Sequence, residues 1–168
     1  MRDYNNITLI GMPGSGKTTV GKLLAESFDY KFVDTDNYIE KKEGKNLQEI
    51  IDNEGNAAFC EIEKNRIMEL LPLKHCIISP GGSVIYSKSL METLKNISVV
   101  IFLDLPLKAL KDRLINKESR GIVGLKSLSI AELYDERIPY YKKYADITIN
   151  CINLLPSEIV NKIRKELI

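Results

Sequence analysis

One uninterrupted stretch near the start of the chain constrains its fold more than any other. Residues 11–18 read GMPGSGKT and fit the phosphate-loop pattern GxxxxGKT without a gap. An apolar run at 7–10 precedes the pattern, and a helix-forming run that begins at Lys17 follows it. The pattern therefore stands in the strand, loop and helix context that it needs.

Backbone amides and one lysine make this loop a predicted triphosphate site. Glycines let successive N–H groups turn inward around an anion, and the start of the next helix adds partial positive charge. Lys17 is expected to reach the β- and γ-phosphates, and the Thr18 hydroxyl to bind Mg²⁺. A Gly-rich turn that merely joins a strand to a helix is the alternative. The candidate ATP-binding residues in the loop are Gly11, Pro13, Gly14, Ser15, Gly16, Lys17, Thr18 and Thr19.

Size, charge and cysteine usage limit the remaining possibilities. The 168 residues suit a single domain, 1–168, and are too few for two ordinary ones. No apolar run approaches the ~20 residues of a membrane helix, so we expect no membrane association. A net charge of +1 offers no basic footprint for nucleic acid, which favours a small ligand. The polar start at 1–6 and the three separated cysteines predict a reduced, cytoplasmic protein, and we expect a monomer.

Short apolar runs alternate with amphipathic stretches along the whole chain. This alternation predicts an α/β fold of three layers, a parallel sheet between two layers of helices. Ligands bind outside the carboxyl ends of the strands in such sheets, so the residues just after each strand are functional candidates. The predicted strands are 7–10, 31–34, 76–79, 98–103 and 146–150. The predicted helices are 17–27, 38–42, 47–52, 56–71, 88–95, 107–114, 130–144 and 156–167.

Two aspartates end the second predicted strand. Asp34 and Asp36 are two residues apart, so their carboxylates point the same way from a strand end. Beside a bound triphosphate, one could orient metal-bound water while the other accepts a hydrogen bond from the acceptor hydroxyl. The structural alternative is a helix start with Asp36 as its N-cap, and neither role excludes the other.

Three further segments follow strands or link helices in functional positions. Gly81 and Gly82 allow backbone to approach a ligand closely, although a tight turn also explains them. Residues at about 115–129 carry several cations, which suits a mobile lid; a solvated loop is the alternative. Arg120 in this lid would act on the charge of the phosphoryl oxygens. Arg137 suits a substrate carboxylate if it faces the cleft, and otherwise forms an exposed ion pair.

These positions occur in the order seen in a known family. The loop, the DxD pair, a helix led by Phe59, the glycine turn and two late arginines make the chain resemble the shikimate kinases over essentially its full length. Those enzymes use ATP and Mg²⁺ to phosphorylate the 3-hydroxyl of shikimate. The resemblance implies a five-stranded parallel sheet of order 2-3-1-4-5, a mobile lid, and substrate-binding helices at about 36–71.

The resemblance also implies roles for individual residues. Asp34 matches the aspartate that holds Mg²⁺ through water, and Asp36 matches the candidate base on the reacting hydroxyl. Arg120 matches the lid arginine, Arg137 an arginine on the substrate carboxylate, and Arg113 the arginine over adenine. The expected catalytic residues are Lys17, Asp36 and Arg120; the metal ligands are Thr18 and Asp34; and the substrate-binding residues are Asp36, Cys60, Glu63, Gly81, Gly82 and Arg137.

Three positions depart from the family's pattern. The FRxxE motif reads FCEIE, so Cys60 stands where an arginine clamps the shikimate carboxylate. The GGG turn ends in Ser83, and Gly121 replaces the proline after the lid arginine. A thiol cannot form a charge-assisted bidentate pair, so we expect carboxylate binding weakened by at least ~10-fold.

Phosphorylation of shikimate is therefore the leading expectation for function, with two alternatives. Cys60 motivates the first, a related kinase for a different small hydroxylated metabolite. The second is an ATP-binding regulatory protein without turnover. The intact Lys17, Asp36 and Arg120 speak against the second, because a retired site has no chemical need for them.

Overall fold

In the computed structural model, which describes residues 5–114 and 128–167, five parallel strands form one sheet with helices on both sides. The order across the sheet is β2-β3-β1-β4-β5, and each pair of neighbours is parallel. The order that the resemblance implied is confirmed. The strands are β1 (Asn6–Ile10), β2 (Lys31–Asp34), β3 (Cys76–Ser79), β4 (Val99–Asp104) and β5 (Ile147–Asn150).

The central strands are buried along nearly their whole length. All residues of β1 and β3, and the first five of β4, are buried, whereas the edge strand β2 is partly exposed. Helices on both faces of a parallel sheet explain why these strands read as continuous apolar runs rather than as alternating patterns. The pairing of β3 with both β1 and β2 places the carboxyl ends of these three strands side by side.

Seven α-helices occur in the described ranges, close to the predicted positions. A 3₁₀ helix, Gly82–Tyr86, follows β3 where the sequence predicted only a turn. Residues 47–52 and 56–71, predicted as two helices, are assigned as one helix, broken at Gly55 by φ 87° and ψ 167°. The α-helices are α1 (Lys17–Phe28), α2 (Thr35–Glu43), α3 (Leu47–Met68), α4 (Lys88–Ile97), α5 (Leu107–Leu114), α6 (Ile130–Tyr144) and α7 (Pro156–Leu167).

The start of α2 corrects one structural expectation. Asp34, not Asp36, is the N-cap: its carboxylate accepts hydrogen bonds from the backbone amides of Asp36 at 3.0 Å and Asn37 at 3.2 Å. The helix consequently begins at Thr35, three residues before the predicted start. Asp36 is thereby left on the first turn of the helix, with its side chain available to the site.

Two clusters of buried apolar side chains stabilise the fold. The main cluster joins the sheet to the helices that cover it. The small cluster joins α2 to α3, and its buried members are Ile39, Leu47, Ile50, Ile51 and Phe59. Full burial of such a side chain stabilises by ~1.5–3 kcal/mol. The small cluster thus holds α2 against the first part of α3, while Ile67 joins the end of α3 to the main cluster.

The predicted lid lies mostly outside the described residues. Of the range 115–129, Leu128 packs against the main cluster, and Ser129 is the N-cap of α6 in a capping box with Glu132. The lid itself stays a prediction. No helix in the two described ranges is long and apolar enough to cross a membrane.

Candidate active site

The phosphate loop connects β1 to α1 in a backbone conformation that residues other than glycine adopt only with strain. Gly14 and Gly16 have φ angles of 82° and 98°, in the left-handed region, and Gly16 is the residue that precedes α1. Left-handed backbone is readily adopted by glycine. The amide of Ser15 donates to the carbonyl of Met12 at 3.1 Å, which closes the turn. The loop thus curves around the space where the predicted phosphates would lie.

The ammonium of Lys17 is held against this loop. It donates to the carbonyl oxygens of Gly11 at 2.9 Å and Met12 at 3.2 Å. Burial lowers the pKa of Lys17 to about 8, and the neighbouring carboxylate of Asp36 partly opposes this shift. A cation in this position is suited to negative charge on phosphate oxygens.

The two aspartates occupy different positions at the end of β2. The hydroxyl of Thr18 donates to Asp34 Oδ2 at 3.4 Å, so that two oxygen ligands lie together beside the loop. Burial raises the pKa of Asp36 to about 6, and the charge of Asp34 adds to this effect. A pKa of about 6 is close to that of an effective general base near neutral pH.

The oxygen pair of Thr18 and Asp34 fits the chemistry of Mg²⁺. Mg²⁺ prefers oxygen ligands and usually takes one or two from protein, with the rest from phosphates and water. Within the described ranges no group of three or more His, Cys, Asp or Glu side chains could hold a metal ion by itself. A site of this composition therefore suits a metal that arrives with a nucleotide.

A cavity of about 380 Å³ is lined by most of the predicted site residues that the structure describes. The phosphate loop and Arg113 lie along its wall together with Pro156 of α7, and Glu63, Gly81, Gly82 and Arg137 also line it. Arg113 Nη1 donates to the carbonyl of Gly14 at 3.1 Å, which ties α5 to the loop. The nucleotide and acceptor residues predicted from separate segments therefore meet in one space.

Glycines in the turn after β3 leave room for acidic and basic side chains. A Cβ atom at Gly81 would lie 2.9 Å from Glu63 Oε1 and 3.1 Å from Asp36 Oδ1. A Cβ atom at Gly82 would lie 2.8 Å from Arg137 Nη1. The carboxylates and the guanidinium thus converge on two adjacent residues of one turn.

Arg137 is buried, so the alternative of an exposed surface ion pair is wrong. Its side chain is only 1% exposed. The guanidinium carbon lies 5.3 Å from the centre of the Tyr86 ring, and Nε donates to the Tyr86 hydroxyl at 3.1 Å. The Tyr86 hydroxyl in turn donates to Glu136. These contacts orient the guanidinium beside Gly82, at the end of the cavity that the turn after β3 lines.

Glu63 is a buried carboxyl group at the same end. The Ser83 hydroxyl donates to its Oε2 at 2.8 Å, whereas its buried Oε1 has no hydrogen-bond partner among the described residues. Burial raises the pKa of Glu63 to about 7, while the Ser83 hydrogen bond and the nearby cations Arg137 and Lys17 oppose the shift. Near neutral pH the carboxyl group of Glu63 is thus partly protonated and partly ionised.

Some predicted residues are placed elsewhere or not described. Cys60 is half-buried and packs against the small cluster, and it is not among the residues that line the cavity. Gly11 and Ser15 are buried in the loop rather than at the cavity surface. Arg120 lies outside the described residues. The predicted roles of all the site residues stay predictions.

The sequence did not predict that Tyr86 contacts Arg137 or that Ser83 contacts Glu63. Ser83 stands at the end of the segment after β3 that was already a candidate, so its position could have flagged it. Tyr86 lies three residues further on, in the 3₁₀ helix, and reaches Arg137 on α6 only through the fold. No local pattern in the sequence marks that contact.

The parallel sheet, the phosphate loop and the carboxylates beside it define the class of protein: a P-loop kinase of small molecules. Comparison with known proteins gives the family. A family model described as shikimate kinase matches residues 13–168. The chain belongs to the shikimate kinase family, and it is an ATP-dependent kinase.

Individual relatives agree with this assignment. The shikimate kinase of Persephonella marina is 39% identical over 158 residues, which cover 94% of this chain and 96% of that protein. That of a Sulfurihydrogenibium species is 37% identical over 158 residues, covering 94% and 95%. A solved structure of Acinetobacter baumannii shikimate kinase in complex with shikimate has a TM-score of 0.90 at 29% identity, covering 98% of this chain and 93% of that one.

Proposed function

We propose that this chain transfers the γ-phosphoryl group of ATP to the 3-hydroxyl of shikimate, with Mg²⁺. The observation that carries the proposal is one cavity lined by Lys17, Asp36 and Arg137. The lysine belongs to the phosphate loop, the arginine suits a carboxylate, and the aspartate approaches the turn beside that arginine. A hydroxylated acid bound at the arginine would thus present a hydroxyl toward the triphosphate.

Asp36 is the proposed base. Its carboxylate accepts a hydrogen bond from the acceptor hydroxyl and takes the proton as the hydroxyl oxygen attacks the γ-phosphorus. The bond from that phosphorus to the bridging oxygen breaks, and ADP leaves. Lys17 stabilises the negative charge on the phosphates, and in-line positioning supplies most of the rate.

Mg²⁺ is proposed to bind together with the nucleotide. Mg²⁺, when bound, neutralises charge on the β- and γ-phosphate oxygens. Thr18 and Asp34 are the residues proposed to hold it, Asp34 through water. The observed approach of their oxygens, 3.4 Å, supports this role.

The acceptor's carboxylate is proposed to bind Arg137 and the backbone of Gly81 and Gly82. Arg137 is buried and pre-oriented, so a planar bidentate pair costs little side-chain entropy. Cys60 adds no charge to this end of the cavity. We therefore propose that affinity for the carboxylate depends on Arg137 to an unusual degree for this family.

An assay of ADP release with shikimate tests the proposal directly. Turnover is expected with shikimate and Mg²⁺, and Asp36→Asn should lower kcat by at least ~100-fold while ATP still binds. Cys60 itself packs against the small cluster, so Cys60→Arg should lower the KM for shikimate only if the longer guanidinium reaches the cavity. If shikimate gives no turnover above buffer while another hydroxylated metabolite does, the acceptor is wrong.

The location and assembly expected from the sequence are also proposals. The three cysteines are free thiols, with Cys76 and Cys151 buried, which supports a reducing compartment such as the cytoplasm. A monomer is expected. Sedimentation analysis of the purified protein would measure its mass in solution, and a dimer's mass would contradict this expectation.

A further inference from the structure

Glu63 and Ser83 form a buried pair at the acceptor end of the cavity. Their side chains belong to residues that are 2% and 5% exposed, and the hydrogen bond between them is 2.8 Å long. Glu63 comes from α3, whereas Ser83 comes from the 3₁₀ helix after β3. The bond therefore joins a helix packed on the small cluster to a segment fixed to the sheet.

The pair lies beside the place proposed for the acceptor's carboxylate. Glu63 Oε1 lies 2.9 Å from the position of a Cβ at Gly81, and Arg137 Nη1 lies 2.8 Å from that at the adjacent Gly82. A carboxylate held by Arg137 would thus lie close to the carboxyl group of Glu63. If Glu63 is ionised, like charges meet at short range and acceptor binding weakens.

Charged groups of both signs surround Glu63. Cys60, one helical turn before Glu63, is neutral and supplies no cation. The titratable or charged side chains around Glu63 are Lys17 from α1, Asp36 from α2, Cys60 and Glu61 from α3, and Arg137 and Tyr141 from α6. The Ser83 hydroxyl is the hydrogen-bond donor that the structure gives the carboxyl group.

We propose that Ser83 is a specificity-determining positioning residue, which acts through its hydrogen bond to Glu63 to set how tightly Arg137 binds a carboxylated acceptor. This inference rests on the proposed function, because it takes the acceptor to be a carboxylic acid. Neutral Glu63 permits tight binding, and ionised Glu63 opposes it. Ser83 favours the ionised form by donating to it, so it sets the pH range over which affinity changes.

Binding of shikimate, measured by calorimetry across pH, tests the proposal. The dissociation constant for the wild-type protein should rise as pH rises through about 7, where Glu63 ionises. In Glu63→Gln the side chain stays neutral, so this rise should disappear and binding should stay tight. In Ser83→Ala the loss of a charge-assisted hydrogen bond should move the midpoint upward by about one pH unit.

A second measurement needs no acceptor. The pKa of Glu63 is raised on folding from 4.5 to about 7, so its contribution to stability is full below pH 4.5 and is lost as pH rises through about 7. Ser83→Ala should therefore destabilise the protein more at about pH 8 than at about pH 5. Ser98→Ala is the matched control, because the buried Ser98 hydroxyl bonds to the neutral groups Thr8 and Leu94. The loss of stability in Ser98→Ala should be the same at both pH values.

The outcomes distinguish the proposed acceptor, shikimate, from the proposed role of Ser83. Failure of shikimate to bind at any pH would reject the proposed acceptor, while the stability measurement would still test the Ser83–Glu63 pair. An unchanged midpoint in Ser83→Ala, or an undiminished pH dependence in Glu63→Gln, would overturn the inference about Ser83 even if shikimate is the acceptor.

Discussion

The hydroxyl of Tyr86 accepts a hydrogen bond from Nε of Arg137 at 3.1 Å. Tyr86 is 37% exposed, whereas Arg137 is 1% exposed, so a residue at the surface orients a buried cation. The same hydroxyl donates to Glu136, the residue immediately before Arg137. The direction of the guanidinium is thereby linked to a side chain that does not itself line the cavity.

Tyr86→Phe is expected to weaken acceptor binding. It removes a hydrogen bond to a charged group, and partial exposure limits the loss, so the KM for the acceptor should rise about 3- to 10-fold. The KM for ATP should stay unchanged. Tyr140→Phe is the control, because the Tyr140 ring packs edge-on against Tyr86 at 6.2 Å between centroids. Equal effects of both variants on the acceptor would contradict a specific role for the Tyr86 hydroxyl.

Lys17→Met is expected to abolish turnover while raising the stability of the protein without nucleotide. Folding lowers the pKa of Lys17 from 10.5 to about 8, so the folded state disfavours the charged form, and stability from this group rises with pH between those values. Near neutral pH the buried charge is unfavourable, and its removal should raise Tm by about 2 °C or more. The exposed Lys22, on the same helix, supplies the control Lys22→Met, which should leave Tm unchanged. A lower Tm for Lys17→Met would show that the carbonyl contacts of Lys17 outweigh its desolvation.

Two substitutions at Asp34 should separate helix capping from metal binding. Asp34→Asn keeps an oxygen that can accept from the amides of Asp36 and Asn37, so stability should be retained. Asp34→Ala loses the cap, which costs ~0.5–2 kcal/mol. Both should lower activity at least ~10-fold and raise the Mg²⁺ concentration needed for half-maximal rate. Full activity of Asp34→Asn at low Mg²⁺ would exclude Asp34 from the metal site.

Arg113→Ala is expected to affect the nucleotide alone. Arg113 Nη1 holds the carbonyl of Gly14, and the side chain lines the cavity. Loss of this contact and of a cation near the nucleotide should raise the KM for ATP about 5-fold, with the KM for the acceptor unchanged. Steady-state kinetics with each substrate varied in turn would measure both, and a rise confined to the acceptor would place Arg113 in the other half of the cavity.

Contiguous signals explain what the sequence predicted well. The phosphate loop is one unbroken motif whose backbone geometry depends on its own glycines, so its position and form follow locally. The strands are continuous apolar runs, and β2 and β3 have the predicted bounds. Residues at the ends of these strands then meet because parallel strands bring their carboxyl ends to the same edge.

Contacts between distant segments explain what the sequence did not predict. The bond from Tyr86 to Arg137 spans 51 positions, and that from Ser83 to Glu63 spans 20. Neither leaves a periodic or local pattern. Cys60 was expected at the substrate because of its place in a motif; its half-buried side chain packs against the small cluster, and its role stays a prediction. The choice of Asp34 over Asp36 as N-cap depended on where α2 begins, directly after β2, and helix starts read from sequence are uncertain by a few residues.

The break at Gly55 has an evolutionary consequence. It divides α3 so that the side chains of the small cluster fall on both sides, with Leu47, Ile50 and Ile51 before it and Phe59 after it. Glu63 lies between Phe59 of the small cluster and Ile67 of the main cluster, so this wall of the cavity is held by both packing units. Asp36 lies on α2, whose Ile39 packs in the same small cluster, so substitutions that refit this wall to another metabolite would also shift the proposed base and must preserve its position.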